Sequence, residues 1–356
     1  MKTNHSNFLK LAFNIAKINL GKTKTNPSVG CVIVKDNSVI SSGYTSLNGR
    51  PHAEFNALKF KKDFKDSYLY VTMEPCTHYG LTPPCSNLIL RKGIKHVFFS
   101  FNDLDSRTSK KFKQKCLKKK IKISKKMIFK YNDFYQSYFS IHKKSELFVD
   151  AKLALSKDYF TINKKTKWIT NQSSRKRAHL IRSEYDAIIS TSKSINNDNS
   201  ILNCRLNGFD SKKPDLIVID RNLNIKKNLE IFKNNTKRKI FIVTLKKDVK
   251  KNFYFKNKNI KFISMQNLTS KNDFIYLFSL IKNYGYNRVL IESGLTFLNK
   301  LLLNKLIYNL YIFQSLSKLK KKGKNNASNS FIKKLKFQKK IKVNLNSDSL
   351  YKIRIK

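Results

Sequence analysis

Glycine, proline, acidic side chains and cysteine are all scarce in this chain of 356 residues, which holds 10 Gly, 6 Pro, 22 Asp plus Glu and 5 Cys. An odd number of irregularly spaced cysteines excludes a disulfide framework and points to a reducing compartment. No run approaches 18 apolar residues and no apolar signal core opens the chain, so a soluble, cytoplasmic protein with no membrane partner is expected. Five of the six prolines precede residue 85, which marks the segments around them as places where backbone geometry is held.

Against so few carboxylates stand 74 Lys plus Arg, for a formal net charge of +52. An apolar content of 40% with 26 Phe, 16 Tyr and one Trp is far too high for a disordered polycation, so the chain folds. At ~150 residues per domain its length gives two domains, each able to bury a core. The charge alone suggests a polyanionic partner. Only 11 of the basic residues are Arg, however, whereas base reading and phosphate clamping favour the guanidinium. Lys, Asn and Ile rise together throughout, as composition drift at surface sites would produce, so nucleic acid is disfavoured as a partner. A dedicated surface would cluster its cations on one face.

Phe8, Leu11, Ala12, Ile15 and Ala16 recur at helical spacing up to Gly21. Apolar runs at 29–34 and 39–40 around Lys35-Asp36-Asn37-Ser38 then predict a hairpin. A helix is expected from His52, a strand at 68–72, a helix from Cys85 and a strand at 97–101, followed by a Lys-heavy stretch at 110–126 and an aromatic helix at 134–141. A new strand at 147–155 sets the domain boundary near residue 145. Beyond it, strands at 187–190, 216–220, 240–244, 260–264, 289–292 and 307–313 alternate with helical patterns at 175–182 and 272–284. Such alternation predicts a second α/β domain with a largely parallel sheet. The polar stretch 318–330 reads as a loop.

Three segments of the first half carry chemistry: Pro51-His52-Ala53-Glu54, Met73-Glu74-Pro75-Cys76 and Pro83-Pro84-Cys85. One imidazole and two thiolates make a three-ligand zinc set, and the fourth position left for water distinguishes catalytic from structural zinc. Bound zinc would lower the pKa of that water towards ~7. Glu54, two residues after His52 at the start of a helix, is the candidate catalytic proton carrier. A single Cys or His would more simply be a packed core residue. The ordered His-x-Glu and Pro-Cys pairings favour zinc, with Cys31, Cys116 and Cys204 left as structural.

His52-x-Glu54 with Pro75-Cys76 resembles the zinc-dependent cytidine deaminase superfamily. The segment Glu74-Pro75-Cys76-Thr77-His78-Tyr79-Gly80-Leu81-Thr82-Pro83-Pro84-Cys85, preceded by Asn26-Pro27-Ser28-Val29-Gly30, resembles the bifunctional riboflavin-biosynthesis deaminase/reductase family. The resemblance covers almost the whole chain. It implies an α/β fold with a cytidine-deaminase-like α/β/α domain at 1–145 and a dihydrofolate-reductase-like α/β domain at 146–356, using zinc and NADPH. The implied substrate is a small phosphorylated pyrimidine, 2,5-diamino-6-(5-phosphoribosylamino)pyrimidin-4(3H)-one. It would be deaminated at the 2-amino group by zinc-activated hydroxide and then reduced at the ribose C1 to a ribityl group. Carried over position by position, the family's contacts to NADPH fall on Ala154, Trp168, Ser194, Asp198 and Gly294. Those to substrate fall on Asn26, Lys152, Thr166, Arg182, Leu202, Arg205 and Glu292.

The chain departs from the family pattern in four places. Leu81 stands where Lys or Arg is usual, with Arg50 or nearby lysines able to compensate. Thr45 replaces a common His, and Lys164-Lys165-Thr166-Lys167 replaces Gly-Glu-Ser. Tyr159 replaces a Gly, and a bulky residue there is expected to reshape the turn. These losses keep a deaminase with an impaired reductase half open as an alternative, beside a basic nucleic-acid-binding deaminase and a structural zinc. The sequence also leaves open a homo-oligomer.

Overall fold

The computed structural model describes residues 4–108, 111–144, 146–209, 213–233, 238–246, 259–328, 331–335, 337 and 340–356. The chain forms two compact units, Met1–Ser145 and Glu146–Lys356. The expected boundary residue 145, and residues 110, 329 and 330 of the expected stretches, lie outside the described residues.

In the first unit, α1 (His5–Ala16) leads to β1 (Gly30–Lys35), β2 (Ser38–Tyr44), α2 (Ala53–Leu58), β3 (Tyr68–Met73), α3 (Cys85–Arg91), β4 (His96–Phe101), α4 (Lys111–Lys118), β5 (Lys122–Lys125) and α5 (Gln136–Lys144). The sheet runs β2-β1-β3-β4-β5, with β2 and β3 antiparallel to β1 and the rest parallel. β1 is buried along both faces as far as Val34, as a strand covered on both sides must be. Its hairpin is the expected one. Gly43 fixes the placement of α2, since a Cβ there would collide with the Ala53 carbonyl oxygen, so only glycine lets the helix seat this closely on β2.

The second unit comprises β6 (Phe148–Leu155), β7 (Phe160–Asn163), α6 (Gln172–Arg182), β8 (Ala187–Thr191), α7 (Ser192–Asp198), β9 (Asp215–Ile219), α8 (Glu230–Lys233), β10 (Ile240–Thr244), β11 (Ile260–Ser264), α9 (Lys271–Asn283), β12 (Arg288–Ile291), α10 (Leu295–Leu303), β13 (Asn309–Gln314), β14 (Gly323–Asn326), α11 (Phe331–Lys334) and β15 (Ser349–Arg354). Its eight-stranded sheet, β11-β10-β9-β8-β12-β6-β13-β15, is parallel except for β15. Alternate residues of the central strands enter different cores, Ile189, Ile217 and Val243 in one, Ile188, Leu216 and Val218 in the other. That is the signature of a sheet packed on both faces.

One expectation is corrected. The stretch read as a loop from 318 contains a 3₁₀ turn, Lys320–Lys322, and β14, which pairs antiparallel with β7. Gly-Lys-Asn-Asn carries no apolar alternation because this two-stranded ribbon is largely exposed. Tyr159 takes a left-handed backbone with φ 66°, which costs a residue bearing a Cβ ~1–2 kcal/mol. The surroundings over-determine it: the Asp158 carboxylate accepts from Ser156 Oγ, Leu319 N and Lys320 N, and Ala327 N donates to the Tyr159 carbonyl.

Candidate functional site

α2 and α3 each begin with a predicted metal ligand. His52 occupies the N-cap of α2, yet its ring makes no capping bond and turns to the two sulfurs. His52 Nδ1 lies 3.6 Å from Cys76 Sγ and 3.5 Å from Cys85 Sγ. Nitrogen and sulfur ligands sharing one tetrahedral zinc at ordinary bond lengths stand ~3.6 Å apart. All three donor atoms lie within 4.8 Å of one another, so the residues present fit a zinc ion and supply three of its four positions. The first amide of α3, Cys85 N, donates to Cys76 Sγ at 3.3 Å, and Ser86 N donates to the Cys76 carbonyl. A hydrogen bond from the Cys85 thiol, with the neighbouring His52, holds the Cys76 thiol down to about 4, while the same thiol–thiol bond pushes Cys85 up. One thiolate is thus stabilised before any metal arrives.

Glu54, in the first turn of α2, is 4% exposed. Burial pushes its carboxyl up to about 7, reinforced by Cys76 and opposed by His52, and it also accepts a hydrogen bond from Cys85. A carboxyl beside the three donors that is half-protonated near neutrality can both take and give a proton.

The surrounding loops are tied to one another. Asn26 Nδ2 donates to the Gly49 carbonyl, just ahead of His52. Arg50 Nη1 donates to Thr82 Oγ1 at 2.8 Å. Thr45 is buried, and its hydroxyl accepts from Val29 N beside the hairpin. Sequence reasoning missed Tyr138 and His142 on α5, which reach Asp103 and the Thr25 carbonyl. Their helix was legible; its inward face was not.

In the second unit Lys152 and Ala154 are the two half-exposed positions of β6, two residues apart on one face. Glu292, at the end of β12, pairs with Arg182 through Nε at 2.5 Å and Nη2 at 2.9 Å, and with Lys152 at 3.4 Å. Although burial opposes it, Arg182 and Lys152 hold the Glu292 carboxyl down at about 2. Arg182 is therefore engaged by Glu292 through Nε and Nη2, and its Nη1 also donates to the Asn203 carbonyl. Arg205 is exposed, with Nη1 on Asn203 Oδ1. Leu202 is buried with φ 51°, and its carbonyl and that of Ile201 accept from the buried Arg238. His179, one turn before Arg182, was also missed: its Nδ1 lies 2.9 Å from the Asn203 carbonyl, and burial with Arg182 and Arg205 beside it lowers it to about 4, leaving it neutral.

Of the remaining predicted residues, Gly294 is the N-cap of α10, where no side chain caps the helix, and its amide donates to Ser194 Oγ at 2.9 Å. A helix end of this kind suits a phosphate group. Asp198 closes α7 within the field of Lys167 and Lys152. Trp168 is 50% exposed and stacks on Arg175, with its carbonyl accepting from Thr166 Oγ1. The structure thus groups Lys152, Arg182, Glu292 and Arg205 around one segment and places Ser194 against Gly294.

Residues 2–101 match the family model described as the cytidine and deoxycytidylate deaminase zinc-binding region, and residues 149–316 match the RibD C-terminal domain. The riboflavin biosynthesis protein RibD of Buchnera aphidicola subsp. Baizongia pistaciae is 31% identical over 326 residues, 86% of this chain and 85% of that protein. The diaminohydroxyphosphoribosylamino-pyrimidine deaminase of Buchnera aphidicola subsp. Schizaphis graminum is 37% identical over 130 residues, 35% of this chain and 88% of that protein. The solved structure of Acinetobacter baumannii RibD superposes with a TM-score of 0.80 at 25% identity, covering 99% of each chain. Among the described residues no helix is long and apolar enough to cross a membrane. With both regions present in order, and a relative above 30% identity matched along most of its length, the chain belongs to the RibD family of bifunctional riboflavin-biosynthesis deaminase/reductases.

Proposed function

We propose that residues 1–145 deaminate 2,5-diamino-6-(5-phosphoribosylamino)pyrimidin-4(3H)-one and that residues 146–356 reduce the ribosyl group of the product to ribityl with NADPH. The observation that carries this reading is the convergence of His52, Cys76 and Cys85 beside the buried carboxyl of Glu54. His52, Cys76 and Cys85 would hold zinc, which when bound supplies a water acidified towards neutrality. Glu54 takes the two protons of the attacking water in turn, passing one to the adjacent ring nitrogen and one to the departing amino nitrogen, so ammonia leaves and the ring carbon gains a carbonyl. Burial of Glu54 excludes bulk water from that transfer.

In the second unit, NADPH would supply the hydride. The uncapped start of α10, with Gly294 held by Ser194, offers amides to a cofactor phosphate. On the open face of β6, Ala154 would meet NADPH and Lys152, with the exposed Arg205, the substrate, while Glu292 fixes Lys152 and Arg182 in place. Five unpaired cysteines fit a reducing cytoplasm.

The test is to incubate the full chain with zinc, NADPH and the phosphorylated pyrimidine, following ammonia release and NADPH oxidation separately. Both are expected, with the first lost in Glu54→Gln while the fold and zinc content persist. Ammonia without NADPH oxidation would overturn the reductase assignment, and no ammonia would overturn the deaminase assignment.

A further inference from the structure

A substrate bearing a phosphate needs a cation at the mouth of the deaminase site, yet the loop that overhangs it, Thr77-His78-Tyr79-Gly80-Leu81-Thr82, contains neither Lys nor Arg. Its tip is open to solvent: Tyr79 is 73% and Leu81 88% exposed. Among the described residues, three cations reach the loops around the ligand set. Arg107 is neutralised by Asp105, which it meets through Nε and Nη2. Lys115 is committed to the Thr77 carbonyl and to Asn87. Arg50 differs from both. It lies two residues before His52, crosses to the overhanging loop to bond Thr82, and has no carboxylate partner among the described residues. Its Nη2 would stand 3.2 Å from a Cβ on Gly80, so the absence of a side chain there lets the guanidinium lie against the loop backbone. One Nη1 bond anchors the group and leaves Nε and Nη2 to be shared with an oxyanion, the geometry in which a guanidinium grips phosphate through two parallel bonds.

We propose that Arg50 is the residue that binds the substrate's phosphate in the deaminase site, making it a specificity determinant for phosphorylated over unphosphorylated pyrimidines. This rests on the deaminase reading above. A purely structural tie between the two loops would instead serve any substrate equally.

The experiment measures ammonia release by the zinc-loaded full chain from the phosphorylated substrate and from its dephosphorylated ribosyl counterpart. For Arg50→Gln, KM for the phosphorylated compound should rise about tenfold or more with kcat little changed, while kcat/KM for the dephosphorylated compound stays within about twofold. Arg50→Lys should fall between, and Leu81→Lys in the Arg50→Gln background should recover much of the loss. Equal losses on both compounds, or an unchanged KM on the phosphorylated one, overturn the inference and leave the deaminase assignment standing. No ammonia from the wild-type chain with either compound defeats the deaminase assignment and this inference together. A wild-type chain equally active on both defeats only the phosphate role.

Discussion

Replacing Glu292 by Gln tests whether the ion cluster of the second unit is structural as well as functional. Its carboxylate is 7% exposed and faces Arg182, 12% exposed, and Lys152, 19% exposed. Holding a carboxyl at about 2 instead of its ordinary 4.5 stabilises the fold by about 3 kcal/mol, at ~1.4 kcal/mol per pH unit. Removing one partner of a buried pair costs a similar ~3–5 kcal/mol, because the other charges stay buried and uncompensated. For a unit of this size each kcal/mol moves the midpoint by ~2–4 °C, so at pH 7 Glu292→Gln should lower the melting of the second unit by roughly 6–12 °C in scanning calorimetry of the full chain. The folded-state pKa is depressed, so the contribution is complete above 4.5 and disappears as pH falls from there towards 2. Wild type and variant should therefore converge across that window. A variant that melts within about 2 °C of wild type at pH 7, or a difference independent of pH, would refute the assignment of this energy to the pair. Adding Arg182→Met should recover part of the loss, since an apolar replacement leaves fewer unmatched charges.

Two further outcomes follow from backbone geometry. Gly43→Ala forces α2 off β2 at the Ala53 carbonyl, between His52 and Glu54, so zinc content and ammonia release should both fall, with a stability loss of ~1–3 kcal/mol; an alanine variant with full zinc and full activity would contradict this close packing. Tyr159→Gly should be more stable than Tyr159→Ala by about 1 kcal/mol in chemical denaturation, because both delete the ring and only alanine keeps a Cβ at φ 66°. Equal stabilities would mean that the turn relaxes.

The deaminase centre was legible because its chemistry is local in sequence. His52 and Glu54 sit on one helix start, and Cys76 and Cys85 flank a segment stiffened by Pro75, Pro83 and Pro84. The parallel sheet of the second unit was legible for a similar reason, since strands buried on both faces are continuous apolar runs. What escaped was exposed or distant. β5 and β7 are only four residues long, β14 is polar and exposed, and β15 mixes Leu350 with Lys352 and Arg354 at a sheet edge. Arg182 and Glu292 are 110 positions apart, so their pairing has no local signal. The contacts of His179, Asn203 and Arg238 likewise depend on how separate segments meet.

The position of β6 bears on how the chain is made. It is the first strand of its sheet to be synthesised, yet both its neighbours, β12 and β13, are encoded about 130 residues or more downstream. At ribosomal speeds of ~5–20 residues per second, its apolar edges stay unpaired for roughly ten seconds while the hairpin of the preceding unit can already close. Slow codons between β6 and β12 would lengthen that interval and raise the demand for a holding chaperone on the nascent chain.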